Sequence, residues 1–183
     1  MTKHETYAVE IAGLKRELPL FEIKPGLKIA ILNILGDTEL AQASAKELAM
    51  KLADKSFDVL VTAEAKSIPL AYALSVETKK PYVVLRKAYK LYMGDALKAE
   101  TLSITTGQPQ TLILDEKDRE TIKGKKVVIV DDVISTGSTL QGMRMILDKA
   151  ESTVVAEAAI LTGGDRAEWM HIISLGHLPL FTE

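Results

Sequence analysis

The chain has 183 residues, 47% of them hydrophobic and only 5% aromatic, which suits one domain with an aliphatic core. Twenty-three Lys and Arg against 25 Asp and Glu give a formal charge of -2, so nucleic acid is not an expected partner and any basic site must be local. The absence of Cys excludes disulfides, thiolate nucleophiles and Cys-ligated metals, and His4, His171 and His177 show no metal-ligand spacing. No apolar run approaches a membrane span, and MTKHETYAVE has no signal-peptide core before Glu10. The expectation is a soluble, cytoplasmic protein with no membrane partner.

In chain order, ELAQASAKELAMKLAD from Glu39 carries Leu40, Leu48 and Leu52 among alanines at helical spacing, and FDVLVT from Phe57 is a short buried strand. IPLAYALSVE reads as a helix with Pro69 in its first turn, where a missing N–H costs little. PYVVLR, ending at Arg86, is the next strand. From Lys87 to Pro109 the periodicity fails, with Gly94, Gly107 and Pro109 as breakers. This stretch either holds short strands such as ETLSIT or is a mobile functional loop that orders over the site when ligand binds.

KKVVIVD after Gly124 is a strong strand, and TLQGMRMILDKA sets Leu140, Met143, Ile146 and Leu147 on one helical face. TVVAEAAIL is another buried strand, followed by the turn TGGDR. No internal repeat or linker interrupts the series. Strands alternating with helices predict an α/β fold with a mostly parallel twisted sheet flanked by helices. On such sheets ligands bind beyond the carboxyl ends of the strands.

VVIVDDVISTGST, residues 127 to 139, puts chemistry at that place. Asp131 and Asp132 close the strand. In the loop that follows, backbone N–H groups, the Thr136, Ser138 and Thr139 hydroxyls and the positive helix N-terminus can converge on one anion, with Gly137 permitting close approach or a positive φ. No Walker A pattern is present. Two acids beside a phosphate cradle repel the phosphate unless they accept hydrogen bonds from something else, such as vicinal hydroxyls. A ribose 5-phosphate satisfies both halves.

Four apolar residues, Asp-Asp, two apolar residues, a variable residue and Thr-Gly-Ser-Thr resemble the phosphoribosyl-pyrophosphate signature of the type I phosphoribosyltransferases. The resemblance implies that fold, with a small hood formed by the N-terminal and C-terminal segments on a single domain spanning 1–183. It further implies that Asp131 and Asp132 hold the ribose hydroxyls while Ser135, Thr136, Gly137, Ser138 and Thr139 hold the 5-phosphate. The likeness points most closely to the adenine phosphoribosyltransferases. KPGLKIAILNILGD, Lys24 to Asp37, is similar to their Pro-Gly segment at the base pocket, VTAEAKSIPLAYAL sits where the family has its pyrophosphate loop, and LRKAYK resembles an Arg-Lys pair at the end of the next strand.

These parallels imply a Mg²⁺-dependent transfer of ribose 5-phosphate to a purine base, adenine favoured, with the Mg²⁺ held mainly by substrate and water. Pyrophosphate leaving with several charges needs cationic and N–H donors. Ala65, Lys66, Ser67, Arg86, Lys87 and Lys90 are the local supply, and Lys66 and Arg86 join Asp131 and Asp132 as the candidate catalytic residues. Ile29 stands where the subfamily has an aromatic stacked on adenine, with Val133 or Ile134 on the base's other face. Glu64-Ala65-Lys66-Ser67 replaces Glu-Ala-Arg-Gly, and Ile104-Thr105-Thr106-Gly107 replaces Leu-Glu-Tyr-Gly, without its Glu.

Two alternatives stay open. One is a salvage enzyme for xanthine, hypoxanthine or guanine. The other is a regulator that senses phosphoribosyl pyrophosphate without turning it over, because the fold also occurs in purine-responsive repressors, whose corresponding segment AKSIPLAYA resembles. Against the regulator, the chain before Lys24 is too short for an added DNA-binding domain. His171 and His177 read as structural. Trp169, Tyr89 and Tyr92 are candidates to cover the site or to serve the interface of the homodimer that the family implies.

Overall fold

The computed structural model describes residues 5–102 and 109–182. Its centre is a five-stranded parallel sheet in the order β10-β9-β8-β4-β5, built from β4 (Val59–Ala63), β5 (Tyr82–Leu85), β8 (Lys126–Ile134), β9 (Thr153–Gly163) and β10 (Ile173–Leu178). A parallel sheet must be covered on both faces, which is why β4 and the first half of β8 are apolar at successive positions instead of alternating. Val128 and Val130 enter one core cluster and Val127 and Ile129 the other.

Helices α1 (Thr38–Lys51) and α2 (Ile68–Thr78) contribute Leu40, Leu48, Leu70 and Leu74 to the first cluster. On the other face, α4 (Ser138–Lys149) inserts Leu140, Met143, Ile146 and Leu147, joined by Ile122 of the short α3 (Glu116–Ile122). Each such side chain, fully buried, contributes roughly 1.5–3 kcal/mol before the entropy of ordering it. Asp37 caps α1 by accepting from the Leu40 N–H at 3.1 Å, so an acid at that position fixes where the helix begins.

A second, antiparallel sheet forms a hood, in the order β1-β2-β3-β11, from β1 (Thr6–Ile11), β2 (Leu14–Lys24), β3 (Leu27–Ala30) and β11 (Phe181–Thr182). Both ends of the chain meet here, as Phe181 pairs with Lys28. Arg16 of β2 fastens the hood to the core by reaching Asp37 at 2.7 and 3.0 Å and Glu39 at 2.9 Å. The guanidinium in turn holds the Asp37 carboxyl below its ordinary range.

The region from Lys87 that lacked periodicity is partly strand: β6 (Leu97–Leu102) pairs antiparallel with β7 (Pro109–Leu114) in a hairpin that packs on α4. Short strands therefore account for part of it, and Glu100, Thr101 and Leu102 of ETLSIT lie in β6. Just before the hairpin, the Asp95 N–H donates to Glu116 at 3.0 Å and Arg119 donates to the Asp95 carbonyl at 3.0 Å, tying this stretch to α3. Ile104-Thr105-Thr106-Gly107 lies outside the described residues.

Candidate active site

Beyond the carboxyl ends of β4 and β8, beneath the hood, lies a cavity of about 530 Å³. One end is polar, lined by Asp131, Asp132, Ser135, Thr136 and Thr139, together with Lys66 and Lys87. The other end is aliphatic, lined by Ile23 and Ile29 of the hood and by Leu178, Pro179 and Leu180.

Neighbouring residues on a strand point to opposite faces, yet both acids line this cavity. The alternation of β8 slips at the pair. Before it, Val128 and Val130 belong to the hood-side cluster and Ile129 to the other; after it, Val133 packs on the hood-side cluster and Ile134 is buried in the other. The acids' own hydrogen bonds accompany the slip, since the Asp132 N–H donates to Asp131 at 2.9 Å and the Val133 N–H to Asp132 at 3.0 Å. One consequence is that Val133, and not Ile134, faces the cavity.

Burial, followed by the adjacent Asp132 charge, pushes the Asp131 carboxyl well above its ordinary value, while the hydrogen bond from the Asp132 backbone N–H offsets part of the rise. Free of ligand, the pair is an electrostatic liability that hydrogen-bond donors or a cation would relieve.

Ser135 to Gly137 lead from the strand into α4. Gly137 adopts φ +75°, a left-handed conformation that a side chain strains, and its carbonyl accepts the first helical bond from the Gln141 N–H at 2.8 Å. The opening N–H groups of a helix have no partner within it, and they face the anion-attracting end of its dipole. Thr136 and Ser138 exchange a hydroxyl hydrogen bond at 3.2 Å, and the Thr139 hydroxyl donates to Gln110 of β7 at 3.4 Å. Ser138 is buried and, like Gly137, does not form part of the cavity wall.

The segment between β4 and α2 forms the adjoining wall. Ala65 and Lys66 are exposed there, and the Glu64–Ala65 peptide is cis. The buried Ser67 hydroxyl accepts from Thr62 at 2.8 Å and donates to the Ala63 carbonyl at 3.0 Å. Arg86 does not line the cavity. Its guanidinium donates to Glu64 at 2.8 Å and to the Tyr92 hydroxyl at 3.4 Å. Burial raises the Glu64 carboxyl, but the Lys87 N–H and Arg86 outweigh it and hold the group below its ordinary range. Lys87 lines the cavity, whereas Lys90 is exposed away from it.

Leu178 to Leu180 carried no signal of their own in the sequence, whereas TGGDR marked itself as a strand end on the ligand side of the sheet. Leu178, the last residue of β10, and Pro179 and Leu180 after it approach Ile29 only because β11 pairs with β3; the apolar alternation of IISLGHL followed by Pro179 could have marked a strand end there. Gly163 and Gly164 of TGGDR also line the cavity, and Gly163 sits so close to Ser135 that a β-carbon would lie 3.4 Å from the serine's. Trp169 lies behind the loop with its indole N–H on the Gly163 carbonyl at 3.0 Å. His171 contacts Glu157 at 3.2 Å and His177 contacts the Thr162 hydroxyl at 2.9 Å. Among the described residues no group of three or more His, Asp or Glu is arranged to hold a metal, and no helix is long and apolar enough to cross a membrane.

Residues 32–172 match the family model of the phosphoribosyl transferase domain. Over 163 residues the chain is 32% identical to the purine biosynthesis transcriptional repressor PurR of Bacillus subtilis, a match covering 86% of this chain and 56% of that protein. It is 38% identical over 112 residues to a hypoxanthine/guanine phosphoribosyltransferase of Methanococcus voltae, covering 61% of this chain and 56% of the relative. The chain thus spans just over half the length of these curated relatives. Adenine phosphoribosyltransferase from Thermoanaerobacter pseudethanolicus has the same fold, with a TM-score of 0.72 at 23% identity and coverage of 87% of this chain and 95% of that one. The enzyme from Giardia lamblia complexed with 9-deazaadenine gives 0.68 at 17% identity, covering 94% and 93%. The family model runs from just before α1 to the start of β10 and takes in the acid pair and its loop: the chain belongs to the phosphoribosyltransferase family and has the type I fold.

Proposed function

We propose that the protein transfers ribose 5-phosphate from phosphoribosyl pyrophosphate to a purine base, adenine favoured, as a salvage enzyme. The observation that carries this reading is the continuity of one cavity from two adjacent carboxylates and a helix-terminal loop, past Lys66 and Lys87, to an aliphatic pocket under the hood.

In this reading Asp131 and Asp132 accept hydrogen bonds from the ribose hydroxyls and the Ser135–Thr139 loop takes the 5-phosphate. Lys66, Lys87 and the Ala65 backbone receive the pyrophosphate. The bond from the sugar's anomeric carbon to pyrophosphate breaks with its electron pair leaving on oxygen, the ring nitrogen of the base forms the new bond, and the proton that the base gives up passes to the departing pyrophosphate. Charge develops at the sugar as in glycoside cleavage, so the protein works chiefly by positioning and by electrostatics. Mg²⁺, held mainly by substrate and water, would neutralise pyrophosphate charge, and the Asp131 and Asp132 carboxylates in the cavity wall suit contact with its bound waters. Arg86 acts through Glu64, whose carboxylate fixes the Lys87 backbone beside Lys66.

Recognition of the base falls to backbone groups at Ile29 and Ala30, where β3 lines the cavity, and not at Lys28, which pairs with Phe181; Ile29 and Val133 lie on the ring faces. Backbone readout of this kind suits a 6-amino purine. The chain works as a homodimer in this reading, with the exposed Leu91 and Tyr92 beside Arg86 as candidates for the contact.

A second reading is favoured by the 32% identity to a purine repressor across 86% of the chain: binding of phosphoribosyl pyrophosphate as a signal, without turnover. Pyrophosphate release with Mg²⁺, phosphoribosyl pyrophosphate and a panel of adenine, hypoxanthine, guanine and xanthine separates the two. Release with adenine is expected. Release only with the 6-oxopurines would overturn the pocket reading, and no release with any base, despite measurable donor binding, would leave the sensor.

A further inference from the structure

We propose that Trp169 is a positioning residue for the phosphate loop, setting its affinity for a sugar phosphate without lining the cavity. The inference rests on the reading that this loop holds the 5-phosphate.

Gly137 is the one left-handed residue of the loop, at φ +75°. Its α-carbon has no side chain of its own to pack, and the place where one would go is filled by the indole of Trp169. A β-carbon at residue 137 would lie 2.7 Å from the indole Cη2 and 3.6 Å from Cζ2 and Cζ3. The far end of the same ring system is fixed by its N–H donating to the Gly163 carbonyl at 3.0 Å. Gly163 in turn abuts Ser135, the first residue of the loop. Trp169 thereby bridges the two chain segments that meet across the phosphate end of the cavity, the β8–α4 loop and the end of β9.

The ring is held in this place by its own short helical turn, Arg166–Trp169, capped by Asp165 accepting from the Ala167 N–H at 2.9 Å. The Trp169 carbonyl also accepts from the Ile172 N–H at 3.0 Å, just ahead of β10. A Trp side chain has two rotatable bonds and a large rigid plane, so it restrains a neighbour at small entropic cost. A phosphate loop made of backbone N–H groups binds well only if those groups already converge. Glycine is the residue with most freedom to lose, and Gly137 carries the turn on which the convergence depends.

Trp169→Phe keeps a ring against Gly137 but gives up the bond to Gly163, whereas Trp169→Ala gives up both. The test compares the parent and the two variants by calorimetric titration with phosphoribosyl pyrophosphate and Mg²⁺, by the KM for adenine, and by hydrogen exchange of the 135–139 amides in the free proteins. Trp169→Ala is expected to bind the donor roughly tenfold more weakly, the scale of fixing one backbone residue, and Trp169→Phe to recover most of that loss. The adenine KM should change less than twofold, and exchange should quicken in the loop while β4 and β8 keep the parent's rates. Equal donor affinity in all three proteins with unchanged loop exchange would overturn the proposal, as would equal loosening throughout the sheet, which marks a general core role. Should the parent bind no donor at all, the functional reading falls, and loop exchange alone then decides whether Trp169 orders the loop.

Discussion

The two ends of the cavity are built from opposite materials. The polar end is short in sequence and dense in chemistry: within nine consecutive residues, Asp131 to Thr139, two carboxylates and the Ser135, Thr136 and Thr139 hydroxyls line the cavity at a helix terminus. The aliphatic end is assembled from both ends of the chain, with Ile23 and Ile29 from the hood and Leu178 to Leu180 from the end of β10 onward. Specific hydrogen bonding is concentrated where the common donor would sit. In the proposed reading, shape and main chain are left to choose the base. A fold built this way can keep one half of its site and change its partner by altering the other, in line with relatives that include a purine repressor and hypoxanthine/guanine enzymes.

If the polar end works as described, breaking it should have the largest effect. Asp131→Asn and Asp132→Asn are each expected to weaken binding of phosphoribosyl pyrophosphate by about 1.5–3 kcal/mol, the worth of a charge-assisted hydrogen bond, with circular dichroism unchanged. Calorimetric affinities matching the parent would remove the acids from the ribose.

The same substitution should have the opposite effect on stability. Burial and the Asp132 charge raise the folded-state value of Asp131 above the ordinary 3.8, so its contribution to stability is fully present below that value and is lost as pH rises through the folded value. At neutral pH, above the ordinary value, the folded protein therefore bears the cost of holding this carboxyl against burial and the neighbouring Asp132 charge. Asp131→Asn should melt higher than the parent at pH 7–8, and the two should converge below about pH 4. Melting curves that coincide at neutral pH would show that the pair is not strained. A gain in stability joined to a loss of binding is the behaviour of a site kept for function.

At the aliphatic end the expected effects are smaller. Ile29→Phe places a ring where the base face would lie and should tighten adenine by about 0.5–1.5 kcal/mol, the extra worth of an aromatic pair, leaving donor affinity unchanged. An unaltered or weaker adenine KM would mean that Ile29 does not face the base.

The contrast between the ends also governs what could be read from the sequence. The α/β core was legible because β4, β8 and β9 are buried on both faces and the helices between them repeat at the helical period, as with Leu140, Met143, Ile146 and Leu147 on α4. Asp131 to Thr139 was legible because its chemistry is contiguous. The hood strands were not visible as periodicity. Half of β1 and β2 is exposed, and their pairing is completed by β11 from the far end of the chain; only the family resemblance implied a hood. Nor does a linear sequence reveal that Glu64 draws Arg86 off the cavity wall, or that the slip in β8 turns both acids to one side and Ile134 away. Both depend on packing between segments far apart in the chain.

The most direct test of the central claim is a calorimetric titration of phosphoribosyl pyrophosphate with Mg²⁺ into the base-free protein. It addresses the polar end alone and does not depend on whether the protein is an enzyme or a sensor. Saturable binding at one site per chain, competed by ribose 5-phosphate, is the predicted result. No binding at millimolar donor would contradict the account at its root, whatever the aliphatic end accepts.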